Sequence, residues 1–136
     1  MNSFALKIVT PDGLQFDGQA EELIVRTTTG DIGIMAGHIS CVAPLGMGQA
    51  MILTGGKRRY AACIGGMLSV VDGEVTLVPT TFEWADKIDV ARAEKSAQRA
   101  QKVLSSKDSS GTDIRLAEAR LKRSLIRQSV AAYKPK

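Results

Sequence analysis

A chain of 136 residues has room for one ordinary domain, or for a small domain with an appendage. Its hydrophobic fraction of 44% and charged fraction of 24% are those of a soluble globular protein, and no run of ~18 apolar residues is present to cross a bilayer. The net charge of +4 is split unevenly: residues 1–84 carry five Lys/Arg against eight Asp/Glu, and residues 85–136 carry thirteen against six. A basic tail beside a mildly acidic first part predicts an anionic partner for the tail. With aromatic residues at 4% and none interleaved with the tail's arginines, stacking platforms are lacking, so nucleic acid is not the expected partner. The start, Met1-Asn2-Ser3-Phe4-Ala5-Leu6-Lys7, lacks the pattern of a signal peptide, and the expected compartment is the cytoplasm.

Twelve of the thirteen glycines fall at or before Gly73. Turn signals recur at Pro11-Asp12-Gly13, Asp17-Gly18, Thr29-Gly30, Gly46, Gly55-Gly56, Gly65-Gly66 and Asp72-Gly73. Between them lie short β-prone runs, among them Phe4–Val9, Glu22–Thr27, Ile39–Leu45, Gln49–Leu53, Met67–Val71 and Val75–Pro79. About ten short strands punctuated in this way predict a β-sandwich or flattened barrel over residues 1–84. Asp72-Gly73 between Val71 and Glu74 suits a type I′ hairpin, while Thr80–Trp84 reads as a connector. Cys41 and Cys63 have no Cys or His neighbour at ligand spacing and read as reduced, space-filling thiols.

From Asp86 the period changes. Asp86 or Asp89 can cap a helix to about Ser105, and Val90, Ala93, Ala97, Ala100 and Leu104 fall within an arc of about 80°. Ser105–Gly111 reads as a turn, and Thr112 or Asp113 as the cap of a second helix to about Ala132, with Ile114, Ala117, Leu121, Leu125 and Ala132 as its apolar stripe. The result is an antiparallel αα-hairpin over residues 85–136, appended to the β domain. Its alanine-rich seam buries little area at ~0.8 kcal/mol per CH₂. The ordering entropy of ~1–2 kcal/mol per residue nearly cancels that gain, so the hairpin is expected to dock in one state and detach in another.

Charge is arranged along these helices. Arg120, Arg123 and Arg127 share an arc of about 60° on the second helix, with no acid interleaved. Asp89, Arg92, Ser96 and Arg99 share an arc of about 80° on the first. If the hairpin folds back, Arg92 and Arg99 can converge with Arg123 and Arg127, and four guanidiniums call for a polyanion such as a nucleoside triphosphate. Catalytic motifs fail. Gly55-Gly56-Lys57-Arg58-Arg59 lacks the spacing of a phosphate loop and reads as a turn between strands. Gly30-Asp31-Ile32-Gly33 lacks the helix start of a dinucleotide fingerprint. His38, the sole histidine, has no nucleophile and carboxylate at motif spacing. A binding module is expected rather than an enzyme.

At Gly30-Asp31-Ile32-Gly33-Ile34-Met35-Ala36-Gly37-His38, with Leu45 and Gly48 following, the chain resembles the epsilon subunits of bacterial and chloroplast F-type ATP synthases. Thr29 stands where that family's turn has its first acid, and Asp31 stands for the second. Thr10-Pro11, Gly65-Gly66-Met67-Leu68-Ser69-Val70 and Val75-Thr76-Leu77-Val78 fit as well, and the match runs from Phe4 to Tyr133. The resemblance implies a non-catalytic rotor subunit of a machine for proton-driven ATP synthesis, peripheral on the cytoplasmic face of the bacterial cell membrane (the stromal side of the thylakoid if plastid). The β domain would grip the gamma subunit and sit on the loops of the c-ring, with the Asp31 turn near those loops and His38 near the subunit interface. The hairpin, extended, would bring the basic second helix, Arg120 included, to the alpha/beta hexamer and oppose ATP hydrolysis.

Some members of that family bind ATP on the folded hairpin through an Ile/Leu-Asp-x-x-Arg-Ala motif, matched here by Ile88-Asp89-Val90-Ala91-Arg92-Ala93. Glu83, Arg99, Arg123 and Arg127 occupy the places of the remaining ligands. The implied cofactor requirement is none, with ATP, accompanied by Mg²⁺, as a regulatory ligand that favours the compact state. Two other classes remain: a free-standing nucleotide sensor using the same arginines, and a nucleic-acid binder.

Overall fold

The computed structural model describes residues 2–133. Ten strands come first: β1 (Phe4–Thr10), β2 (Gly13–Ala20), β3 (Glu22–Thr27), β4 (Gly30–Met35), β5 (Cys41–Pro44), β6 (Met47–Thr54), β7 (Lys57–Ile64), β8 (Met67–Val71), β9 (Glu74–Val78) and β10 (Thr81–Trp84). A 3₁₀ turn (Ala85–Lys87) leads into α1 (Val90–Ser105) and α2 (Gly111–Ala131). The strands form two five-stranded sheets, ordered β2-β1-β9-β8-β5 and β10-β7-β6-β3-β4. All neighbours are antiparallel except β1 and β9.

Alternation along the strands fills the space between the sheets. Phe4, Leu6 and Ile8, Leu68 and Val70, and Val75 and Leu77 point inward from the first sheet. Leu23, Val25, Ala50, Ile52, Ala61 and Cys63 meet them from the second. Phe82 and Trp84 close one end with their rings edge-on at 4.9 Å, and the Arg59 guanidinium lies 3.7 Å over the Trp84 ring. In β6 and β7 the alternation gives way to continuous burial, Ala50–Ile52 and Ala61–Ile64, because α2 lies on the outer face of the second sheet. A second, separate apolar cluster forms there from Ala62, Ala85, Ile88, Val130 and Ala131, flanked by Tyr60, Val90 and Ile126. Tyr60 and Tyr133 stack at 4.2 Å beside it.

The expected sandwich followed by a helical hairpin is present. Asp72 (φ 48°) and Gly73 (φ 82°) give the type I′ hairpin between β8 and β9. Several details differ from the sequence expectation. Thr81–Trp84 is a strand paired with β7, not a connector. Lys57–Arg59 belongs to β7, and only Gly55-Gly56 form the turn. β5 begins at Cys41 rather than Ile39. Asp89, rather than Asp86, caps α1. The cap of α2 is Ser110, whose hydroxyl accepts the Asp113 backbone N–H while the Asp113 carboxylate accepts the Ser110 N–H, a reciprocal box neither Thr112 nor Asp113 supplies alone. On α1, Ala93, Ala97 and Ala100 are buried as expected. On α2 the buried residues are Ala117, Ser124, Val130 and Ala131, whereas Leu125 and Ala132 are exposed. A single stripe assumes a single partner. α2 packs first on α1 and then, in its last turns, on β6 and β7, so its buried face rotates along its length.

Candidate functional site

The candidate site lies where the sandwich hands over to the hairpin. β10 ends the second sheet, and its alternation turns Phe82 and Trp84 inward and Glu83 outward. The 3₁₀ turn then redirects the chain, and Ile88 is buried in the docking cluster beneath the site. Asp89 is extended (φ −83°, ψ 98°), and its carboxylate accepts the Arg92 backbone N–H at 3.0 Å. That bond satisfies one of the free donors of the first turn and fixes the start of α1. Arg92, one turn on, therefore projects on the same side as Asp89.

From the other helix Arg127 reaches back, and its Nε donates to Glu83 Oε1 at 2.6 Å, with both side chains about a third exposed or less (25% and 36%). This charge-assisted bond ties residues 44 positions apart and joins α2 to the sandwich. Glu83, Asp89, Arg92, Ala93 and Arg127, with Lys87 and Ser96, line one cavity of about 430 Å³. That volume falls within the ~300–1,000 Å³ usual for small-molecule sites. Two carboxylates and three cations around it suit a polar, net-anionic ligand.

The structure does not gather all the expected arginines there. Arg99 lines a neighbouring cavity of about 620 Å³ with Arg120, and Arg123, half-buried, lines neither. Four guanidiniums at one point repel one another, and of the expected arginines only Arg92 and Arg127 share the cavity that Glu83 and Asp89 also line. The expected partner-facing residues sit elsewhere. Asp31 is in edge strand β4 rather than in a turn, and it pairs with Arg26 at 2.9 Å. His38 follows in the loop to β5, with its Nδ1 2.8 Å from the Ile39 carbonyl oxygen. A further cavity, about 740 Å³ between α2 and strands β3 and β6, is lined by none of the expected site residues.

One surface was not read from the sequence. Pro44, Met67 and Val78 stand in register across β5, β8 and β9 on the outer face of the first sheet, and all three are exposed, as are Val42 and Val71. The signal was available: Met67, Ser69 and Val71 alternate with Leu68 and Val70, so a strand apolar on both faces has a second surface to cover.

Sandwich, hairpin and polar cleft together define a β-sandwich module that carries a docked helical hairpin. The sequence profile described as ATP synthase, Delta/Epsilon chain, beta-sandwich domain matches residues 3–85, and that of the long alpha-helix domain of the same chain matches residues 86–132. The chain belongs to the ATP synthase delta/epsilon chain family. It is 43% identical over 135 residues to the ATP synthase epsilon chain of Ruminococcus albus, covering 98% of this chain and 100% of that one. It is 41% identical to the epsilon chain of Bacillus velezensis, covering 96% and 98%. Among solved structures, a chain of the Euglena gracilis mitochondrial ATP synthase superposes with a TM-score of 0.81 at 23% identity, over 97% of this chain and 82% of that one. A chain from the central stalk and c-ring of the Tetrahymena thermophila enzyme superposes at 0.67 and 13% identity, over 93% and 95%. At those identities the likeness is one of fold.

Proposed function

We propose that this chain is a rotor subunit whose sandwich couples the gamma subunit to the c-ring and whose hairpin restrains ATP hydrolysis unless ATP holds it docked. It works at the cytoplasmic face of the membrane, held there by its partners; among the described residues no helix is long and apolar enough to cross one. The docking role draws on the exposed row Pro44, Met67 and Val78 and on the loop carrying His38, an apolar area rimmed by polar groups of the kind that stable interfaces cover. Asp31, exposed at the sheet edge, faces the polar loops of the c-ring. In the extended state the arginines of α2, Arg120 among them, meet acidic segments of the alpha/beta hexamer.

The single observation that carries the regulatory part is the Arg127–Glu83 bond over a cavity shared with Asp89 and Arg92. Those groups come from α2, from β10 and from the start of α1, so they form one site only when the hairpin is docked. A ligand that needs all of them binds the docked state alone, and such differential affinity is the requirement for a population shift. At a concentration 100 times its dissociation constant it stabilises that state by ~2.7 kcal/mol. Arg92 and Arg127 hold the phosphates, Asp89 and Glu83 meet the donors of the nucleoside, and bound ATP brings its Mg²⁺ with it.

Calorimetric titration with Mg-ATP of the wild type, Arg92→Ala and Arg127→Ala tests this. Each substitution should weaken binding by ~1.5–3 kcal/mol, the scale of a charge-assisted hydrogen bond. Equal heats in all three proteins would remove the nucleotide from the account and leave the stalk role standing.

A further inference from the structure

The cavity of about 740 Å³ on the outer face of the second sheet has two unlike walls. One is a single face of α2, where Lys122, Leu125, Ile126, Ser129 and Val130 follow at helical spacing. The other is the start of β6 with the end of β3, and its floor is kept low by a close approach. A Cβ at Gly48 would lie 2.7 Å from Arg26 Cβ, and one at Gly46 would lie 3.3 Å from Arg26 Cγ. The two glycines thus let the Arg26 stem lie flat across them, while Asp31 holds its guanidinium at 2.9 Å. Leu125, which a single apolar stripe would bury in the helix seam, is instead 51% exposed and borders this space.

The charge on the lining has one sign. Arg26 and Lys122 contribute to it, and among the described residues no Asp or Glu does. Arg26 is already paired with Asp31, whereas Lys122 is exposed and has no ion-pair partner among the described residues. Lys122 stands eight residues before Val130, about 12 Å along the helix axis. The wall is therefore apolar over about that length and ends in an uncompensated ammonium group. Such a wall matches a molecule with a slender apolar tail and one anionic head, and the volume is that of a small-molecule site. A membrane surface cannot enter a slot between a helix and a sheet, so the occupant is a single free chain.

We infer that this cavity is a site for a monomeric long-chain carboxylate, and that its occupation holds the hairpin docked. The tail lies along Leu125, Ile126 and Val130, and the head meets Lys122. Val130 belongs to the cluster that docks the hairpin and Ile126 flanks it, so the tail extends that cluster outwards. With one wall on α2 and the other on the sandwich, the site exists only while the hairpin is docked, and its ligand binds that state alone. None of Glu83, Asp89, Arg92 and Arg127 lines it, so this clamp stands apart from the nucleotide reading.

Calorimetric titration of the full-length chain with sodium octanoate, decanoate and dodecanoate, each kept below self-assembly, tests the site. The proteins are wild type, Leu125→Ala, Lys122→Gln and Leu116→Ala. Wild-type affinity should rise about threefold per methylene. Leu125→Ala and Lys122→Gln should each weaken decanoate about fivefold, the scale of a half-covered leucine and of an exposed charge contact. Lys122→Gln should leave binding of uncharged decanol unchanged. Leu116 is also exposed on α2 but lines the cavity nearer the turn, so Leu116→Ala should leave decanoate binding unchanged. Bound decanoate should slow amide exchange in residues 121–131. Absence of binding by wild type, or binding that Leu125→Ala and Lys122→Gln leave intact, overturns the site. Equal loss in Leu116→Ala overturns it too, as does binding to phosphatidylglycerol vesicles with none to free decanoate. Decanoate binding with unchanged exchange in α2 overturns the clamp.

Discussion

Val130→Ala tests whether the hairpin and the sandwich are separate cooperative units. Val130 is 1% exposed and sits at the centre of the cluster formed by Ala62, Ala85, Ile88 and Ala131. No residue of that cluster belongs to the core between the sheets. Removing two methyl groups forfeits ~1.6 kcal/mol of transfer free energy, and the unfilled space raises the loss to about 2 kcal/mol. At 1.4 kcal/mol per tenfold change, the equilibrium constant for undocking rises about thirtyfold. Amide hydrogen exchange reads this directly, because local opening and global unfolding are seen at different amides. Amides of residues 93–100 and 117–128 should exchange about thirtyfold faster, while those of β1 and β6 keep their wild-type rates. Acceleration of strands and helices by one common factor would refute the separation, and so would unchanged rates in the helices.

Three further outcomes follow from individual residues. Ser124 is 1% exposed, and its hydroxyl has no hydrogen-bond partner among the described residues, so Ser124→Ala should stabilise the docked hairpin by about 1 kcal/mol, visible as slower exchange in α1 and α2. Gly66 has φ +96°, and a Cβ there would lie 2.0 Å from the Val78 carbonyl oxygen and 2.6 Å from Pro79 Cα. Gly66→Ala should therefore cost about 3 kcal/mol or more in denaturant unfolding of the sandwich, since backbone on both sides must shift. Burial pushes the Cys63 thiol from 9.0 up to about 12. The unfolded chain loses this proton near pH 9 and the folded chain keeps it to about 12, so stability held below pH 9 declines as pH rises through that window, by at most ~1.4 kcal/mol per unit. Cys63→Ala should lack this part of the slope, and a thiol reagent at pH 8 should label native protein at Cys41 alone.

Much of the site was legible because its parts are local. The Asp89 cap followed by Arg92 needs only one turn of helix, and the arcs that grouped Arg92 with Arg99 and Arg123 with Arg127 need only the helical period. The pairing across helices was not legible. It depends on the length of the turn at residues 106–110 and on how far α2 has slid along α1, and neither is written in the period of either helix. For that reason the four arginines grouped by the arcs do not share one cavity: Arg92 and Arg127 line one, Arg99 lines the next together with Arg120, and Arg123 lines neither. β10 was missed because four residues holding Phe82 and Trp84 show little period of their own until β7 pairs with them.

What the sequence determined by itself was the change of architecture near residue 85, the glycine turns of the sandwich, the helix starts and the sign of the charge on each part, since all of these follow from dihedral preference and from neighbours within a few residues. Only the tertiary structure decided that the hairpin lies on the outer face of the second sheet, that Val130 and Ala131 are buried while Leu125 is exposed, and that Glu83 meets Arg127 across 44 positions. Those outcomes depend on which distant surface removes the most apolar area from water without stranding a charge, a comparison among whole arrangements of the chain that no short window contains.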